Sequence, residues 1–258
     1  MQHAASDATP ALELVGLVKR FGTKTAVDGV DLVVPTGSFY GLVGPNGAGK
    51  TTTLSMATGL LRPDAGSAFV HGVDVWADPT AAKRMIGNLA DGVRLFDRLT
   101  GEQLIAYTGR LFGLPREELA ARTADLLALM DLGETAGIAV ADYSAGMTKK
   151  VALACALVHA PRLLVLDEPF ESVDPVSAAN IEDVLRAYTA SGGTVIVSSH
   201  SMDLVQRMCD HVAILAGGRV LVAGTVDEVR AGETLQSRFL DLVGGRTRTE
   251  GPAWLRQS

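Results

Sequence analysis

Three short apolar runs, "LELVGLVKRF", "TAVDGVDLVV" and "SFYGLVG", occupy residues 11–43, and "FGTK" and "PTGS" punctuate them. Such runs between turn formers predict a β-rich opening. A helix-like "LSMATGLL" follows, then the strand-like "GSAFVHGVDVW". From Thr100 to about Val158 the pattern turns helical. There "TGEQ" reads as a capping box that opens "LIAYTGRLFGL", and Pro115 opens "REELAARTADLLALM", which stops near Gly133. A third helix begins at Ser144.

The period then changes again. "RLLVLDEP" and "GTVIVSSH" are continuous apolar runs that end in polar residues. This is what parallel strands buried on both faces require. Between them lies the helix "SAANIEDVLRAYTASG", and after them come "SMDLVQRMCD" and a hairpin-like "HVAILAGGRVLVAG". The whole predicts one α/β core with a mostly parallel sheet, an antiparallel β lobe at its start, and a helical insertion at about 88–160.

Composition narrows this only modestly. A chain of 258 residues, 47% hydrophobic, supports one large core. The formal charge of −6 argues against a broad nucleic-acid footprint, so no nucleic-acid partner is expected. Cys155 and Cys209 lack any CxxC spacing, which fits buried thiols in a reducing compartment. The start "MQHAASDATP" has no basic cluster followed by an apolar core, so it does not read as a secretory signal. The longest apolar stretch, "VALACALVHA", is about half of what spans a bilayer.

The chemistry begins at Gly44-Pro45-Asn46-Gly47-Ala48-Gly49-Lys50-Thr51, a full match to G-x-x-x-x-G-K-[ST], with Thr52 extending its polar end. Glycines let backbone N–H groups turn inward as a nest for an anion. The following helix points its positive end at the same place. Lys50 is expected to reach the β- and γ-phosphates of a nucleotide, and the Thr51 hydroxyl to ligate Mg²⁺. A second metal ligand is needed at a neighbouring strand end, and Asp167 follows the apolar run of "LLVLDEP" there. Glu168 points elsewhere and suits a base that polarises the attacking water.

With these motifs in this order, the chain resembles the nucleotide-binding subunit of ABC transporters from about Leu12 to Val243. "YSAGM" resembles the signature motif usually written LSGGQ, directly ahead of "TKKVALACALVHAP" and the Walker B strand. The resemblance implies that Ser144, Ala145, Gly146 and Met147 face the γ-phosphate held by a second copy, although alone the serine reads as a helix N-cap. "ESVDP" resembles the D-loop, which puts Asp174 at the dimer seam. His200 resembles the switch histidine on the γ-phosphate. Phe21 takes the place of the aromatic that stacks on adenine, with a role in the β-lobe core as the alternative.

Three departures from the family pattern stand out. Asp91 replaces a glutamine, keeping a group for Mg²⁺ or water but coupling differently to a membrane partner. Ala145 replaces a glycine, at a cost of about 1–2 kcal/mol if the site needs positive φ. Met147 removes a hydrogen-bonding group from the seam.

The resemblance implies a P-loop NTPase fold over residues 11–243, with a flexible N-terminus at 1–10 and a C-terminal tail at 244–258. It implies an ATPase that binds ATP and Mg²⁺, pairs with a second ABC subunit as a homo- or heterodimer, and drives export through a separate integral membrane permease. It would sit in the cytoplasm against the inner face of the membrane. The alternatives are a catalytically impaired half of a heterodimer and a soluble ABC ATPase acting on ribosomes or nucleic acid.

Overall fold

A computed structural model of the chain describes residues 9–92 and 94–243; of the two expected terminal segments, residues 1–8 and 244–258 lie outside that range. The first part runs β1 (Leu12–Phe21), β2 (Lys24–Val34), β3 (Phe39–Val43), α1 (Lys50–Ala57), β4 (Ala65–Val70), β5 (Val73–Asp74), α2 (Pro79–Met85) and β6 (Ile86–Leu89). Three helices follow: α3 (Gly101–Leu111), α4 (Arg116–Leu129) and α5 (Ala145–Leu157). The chain then continues through β7 (Leu163–Asp167), α6 (Pro175–Ala190), β8 (Thr194–Ser199), α7 (Met202–Met208), β9 (His211–Ala216), β10 (Arg219–Thr225), α8 (Val226–Arg230) and α9 (Leu235–Leu242).

Two sheets result. One is antiparallel in the order β2-β1-β4-β5, and the other has the order β10-β9-β3-β8-β7-β6. In the second sheet only the edge strand β10 runs antiparallel to its neighbour. This is a P-loop NTPase fold with an antiparallel lobe and packed helices.

Side-chain alternation explains why the central strands are apolar throughout. Along β7, Leu164 and Leu166 face one hydrophobic cluster while Leu163 and Val165 face the other. Strand β8 divides in the same way, Val195 and Val197 against Ile196, and β9 divides Val212 and Ile214 against Ala213 and Leu215. A strand with cores on both faces has no solvent side for polar residues. Each such Leu, Ile or Val contributes roughly 1.5–3 kcal/mol by leaving water. The polar residues therefore collect at strand ends, where β7 delivers Asp167 and β8 delivers Ser198 and Ser199.

The capping box at Thr100 forms with both hydrogen bonds, Gln103 N to Thr100 Oγ1 at 3.2 Å and Thr100 N to Gln103 Oε1 at 3.1 Å. The β9–β10 hairpin also forms. Elsewhere the boundaries differ from the sequence reading. The expected 88–160 insertion starts inside β6, which pairs in parallel with β7 and belongs to the core sheet. Helix α6 starts at Pro175, ahead of the expected Ser177, because Asp174 caps it and proline fits its first position.

Candidate functional site

The phosphate loop joins the end of β3 at Val43 to the start of α1 at Lys50. Gly49 is its N-cap, at φ 106, and a Cβ there would meet the Ala26 carbonyl oxygen at 2.5 Å. No other residue suits that position. Helix α1 has no side-chain cap, whereas α2 and α3 have Asp78 and Thr100. Its first N–H groups and the positive end of its dipole can therefore serve an anion. The loop closes on itself through Ala48 N to Pro45 O at 3.1 Å. Beside it lies a cavity of about 240 Å³ lined by Asn46, Gly47, Lys50, Thr51, Thr52 and Glu168 among others. Lys50 is only 6% exposed, and its Nζ donates to the Gly44 carbonyl at 2.8 Å.

At the carboxyl end of β7, Asp167 is buried and Glu168 turns away from it in a left-handed backbone conformation, φ 46. Ser198 serves both residues. Its hydroxyl donates to Asp167 Oδ1 and accepts from the Glu168 backbone N–H at 2.9 Å. On the other side of Glu168, Lys149 Nζ donates to its carbonyl at 3.1 Å. The Glu168 carboxylate then lies between two cations or donors: Oε1 is 3.4 Å from Lys50 Nζ, and Oε2 is 3.1 Å from His200 Nδ1. His200 is 53% exposed and the Glu168 side chain 12%, so the cluster is open on one flank only. Ser198 and Lys149 are the two members of this network that sequence reasoning did not find.

The signature segment is built differently. Ser144 is an exposed N-cap whose Oγ accepts from Met147 N at 3.2 Å. Ala145 is the first residue of α5 and has no positive φ, so the backbone cost expected for replacing glycine does not arise. Gly146 carries the constraint instead. A Cβ there would meet Ser177 Oγ at 2.5 Å and Asp174 Oδ2 at 2.7 Å. Met147 is partly buried against the main hydrophobic cluster, which explains an apolar side chain there. Asp174 caps α6, accepting from Ser177 N at 2.9 Å and Val176 N at 3.1 Å. The bonds from Ser177, with that from Val176, hold its carboxyl below the usual carboxylate range. Within one chain, Gly146 thus lies against Asp174, and neither they nor Ser144 line the phosphate-loop cavity.

Two expected residues also lie away from that cavity. Asp91 lines a separate cavity of about 450 Å³ with Tyr143, Ala145, Lys149 and Glu171 among others. Asp91, expected as a metal ligand with Thr51 and Asp167, follows β6 and is not among the residues lining the phosphate-loop cavity. Phe21 ends β1 and is 50% exposed, so it is not among the buried residues of the β-lobe. Lys19 Nζ lies 5.9 Å from the Phe21 ring centroid, and one face of that β-lobe end is aromatic and open.

Residues 27–171 match the ABC transporter family. The daunorubicin/doxorubicin resistance ATP-binding protein DrrA of Streptomyces peucetius is 38% identical over 223 residues, which is 86% of this chain and 68% of that protein. A Nod factor export ATP-binding protein I of Ralstonia nicotianae is 36% identical over 222 residues, 86% of this chain and 69% of its own length. The solved structure of an ATP binding subunit of an ABC transporter superposes with a TM-score of 0.84 at 29% identity, covering 90% of this chain and 99% of that one.

Proposed function

The chain belongs to the ABC transporter family, in which it is an ATP-binding subunit and an ATPase, and from that premise we propose how its residues divide the work of hydrolysis and what that work drives. The loop from Gly44 to Thr52 cradles the phosphates of ATP, Lys50 pairs with the β- and γ-phosphates, and the open Phe21 ring stacks on adenine. Glu168 takes the proton of the attacking water, and His200 orients that carboxylate and meets the γ-phosphate. The observation that carries this reading is the Glu168 carboxylate itself, held between Lys50 and His200 beside the phosphate loop.

The residues also fit Mg²⁺. Thr51 and Asp167 supply a hydroxyl and a carboxylate, hard oxygen donors of the kind Mg²⁺ takes alongside substrate phosphates. Ser198 engages Asp167 Oδ1, while Oδ2 has no hydrogen bond among the described residues. When bound, Mg²⁺ neutralises charge on the β- and γ-phosphates.

Ser144, Ala145, Gly146, Met147 and Asp174 lie together at the start of α5 and α6, away from the chain's own phosphate loop. In a dimer with a second ABC subunit, this surface closes over the ATP of the partner, and the bridging γ-phosphate favours the closed state. No helix among the described residues is long and apolar enough to cross a membrane. The closing motion acts on a separate integral membrane permease, with this subunit at the cytoplasmic face, a reading supported by the likeness to ATP-binding proteins named for drug resistance and Nod factor export. Named relatives in drug resistance and Nod factor export support an exported cargo. Glu168 and His200 stand together beside Lys50, which speaks against an inactive half-site.

The test is Glu168→Gln. ATP binding is retained and hydrolysis falls by about 100-fold or more. Protein trapped in this way with ATP and Mg²⁺ co-purifies with a polytopic membrane protein from mildly solubilised cells. An unchanged ATPase rate overturns the role of Glu168, and co-purifying ribosomal proteins or DNA overturns the transport reading.

A further inference from the structure

Glu168 combines a demanding role with an uncommon backbone. At φ 46 it holds a conformation that side chains other than glycine rarely adopt. Such residues persist only where their surroundings fix them. Here three hydrogen bonds hold it: its N–H donates to Ser198 Oγ at 2.9 Å, and its carbonyl accepts from Lys149 Nζ at 3.1 Å and from Glu171 N at 3.2 Å. Ser198 is itself fully buried and tied to Asp167, so the N–H side is rigid. Lys149 is partly buried on the second turn of α5, and among the described residues it forms no ion pair. The Glu168 carbonyl is thus what fixes its ammonium, in a charge-assisted bond stronger than a neutral one.

We propose that Lys149 is a positioning residue for hydrolysis, clamping the Glu168 backbone against Ser198 so that the carboxylate is aimed between Lys50 and His200. The inference rests on the reading of Glu168 as the base. It also links two motifs within a single chain. Lys149 stands on the helix that Ser144 caps, so a displacement of α5 at the seam pulls on the backbone of Glu168. Charge on the nucleotide is sensed at Lys50, whereas the geometry of the base is sensed at Lys149.

The experiment compares full-length Lys149→Met, Lys149→Arg, Ser198→Ala and Glu168→Gln for kcat, KM, nucleotide Kd and Tm. Lys149→Met keeps the aliphatic stem and removes the donor. Its kcat falls about tenfold, as expected when a catalytic group is misplaced by a fraction of an ångström. Nucleotide Kd stays at the wild-type value, and Lys149→Arg recovers most of the rate. Ser198→Ala, which acts on the opposite side of the same residue but also releases Asp167, is assayed at saturating Mg²⁺ and lowers kcat there too; Lys149→Gln takes the place of Lys149→Met if the latter does not fold. An unchanged kcat in Lys149→Met, a matching loss of nucleotide affinity, or no recovery in Lys149→Arg overturns the clamp. If Glu168→Gln stalls hydrolysis while Lys149→Met and Ser198→Ala do not, only the clamp fails. If Glu168→Gln hydrolyses normally, the base assignment fails and the clamp with it.

Discussion

His200 Nδ1 lies 3.1 Å from Glu168 Oε2, on a carboxylate whose other oxygen is 3.4 Å from Lys50 Nζ. The histidine thus touches the proposed base directly, from the end of the neighbouring strand β8. Replacing His200 by Ala removes one of the two groups that orient Glu168. We expect kcat to fall by roughly 10- to 100-fold with ATP affinity nearly unchanged, because the phosphate loop and Lys50 remain. Steady-state ATPase kinetics alongside equilibrium nucleotide binding separates the two quantities; a parallel loss of affinity would place His200 in binding instead.

Asp167→Asn keeps an oxygen for the Ser198 hydroxyl and removes the negative charge. Folding should therefore be little changed while the demand for metal rises. Titrating Mg²⁺ at fixed ATP should show half-maximal hydrolysis at a concentration at least about tenfold higher than for wild type. Thermal unfolding without nucleotide serves as the control.

The signature glycine that matters is Gly146. Its Cβ would crowd Ser177 Oγ at 2.5 Å and Asp174 Oδ2 at 2.7 Å, so Gly146→Ala must push α5 away from the start of α6. Overpacking of this kind costs about 1–3 kcal/mol, visible as a lower Tm. Ala145→Gly is the contrasting variant. At the first position of a helix it should bring no gain in stability, only a loss of up to about 1 kcal/mol. A clear rise in Tm for Ala145→Gly would mean that the backbone there is strained after all.

Acid should loosen the fold through two histidines. Burial pushes the pKa of His159 below its ordinary value, as it does for His71. The His159 ring stacks on Phe112 with centroids 3.7 Å apart, and its Nε2 donates to the Ile86 carbonyl at 3.0 Å. Below about pH 6.5 the unfolded chain binds protons that the folded chain refuses, so stability falls as pH drops through that value. Unfolding midpoints measured from neutral to mildly acid pH should decline, and the slope should be shallower in His159→Phe, which keeps a ring against Phe112.

The two-sided apolar strands were legible because burial on both faces leaves a signature that needs no partner to read: Leu163–Leu166 and Thr194–Val197 are buried throughout. The phosphate loop was legible for the same reason, since its glycines and lysine serve a geometry set within a few residues. Strand β6 and helix α2 escaped notice because four residues, "IGNL", and seven, "PTAAKRM", are too short to show a period. Ser198 and Lys149 escaped for a different reason. Their partners lie 30 and 19 residues away, and only the packed sheet and α5 bring them together. Asp174 was read as a seam residue, yet "DP" also marks a helix start, and the structure uses it as one.

Gly218, in the turn between β9 and β10, donates to the Ala48 carbonyl at 3.0 Å and accepts from Asp28 N at 2.8 Å. Arg219 adds a pair to Asp28 at 2.6 Å. The phosphate loop is thereby bolted to residues some 170 positions further along the chain. During synthesis the loop and its helix leave the ribosome well before β9 and β10, which supply their outer wall. Contacts of such long sequence separation form late. The wall of the phosphate loop is thus complete only once β9 and β10 have been made, long after the loop itself.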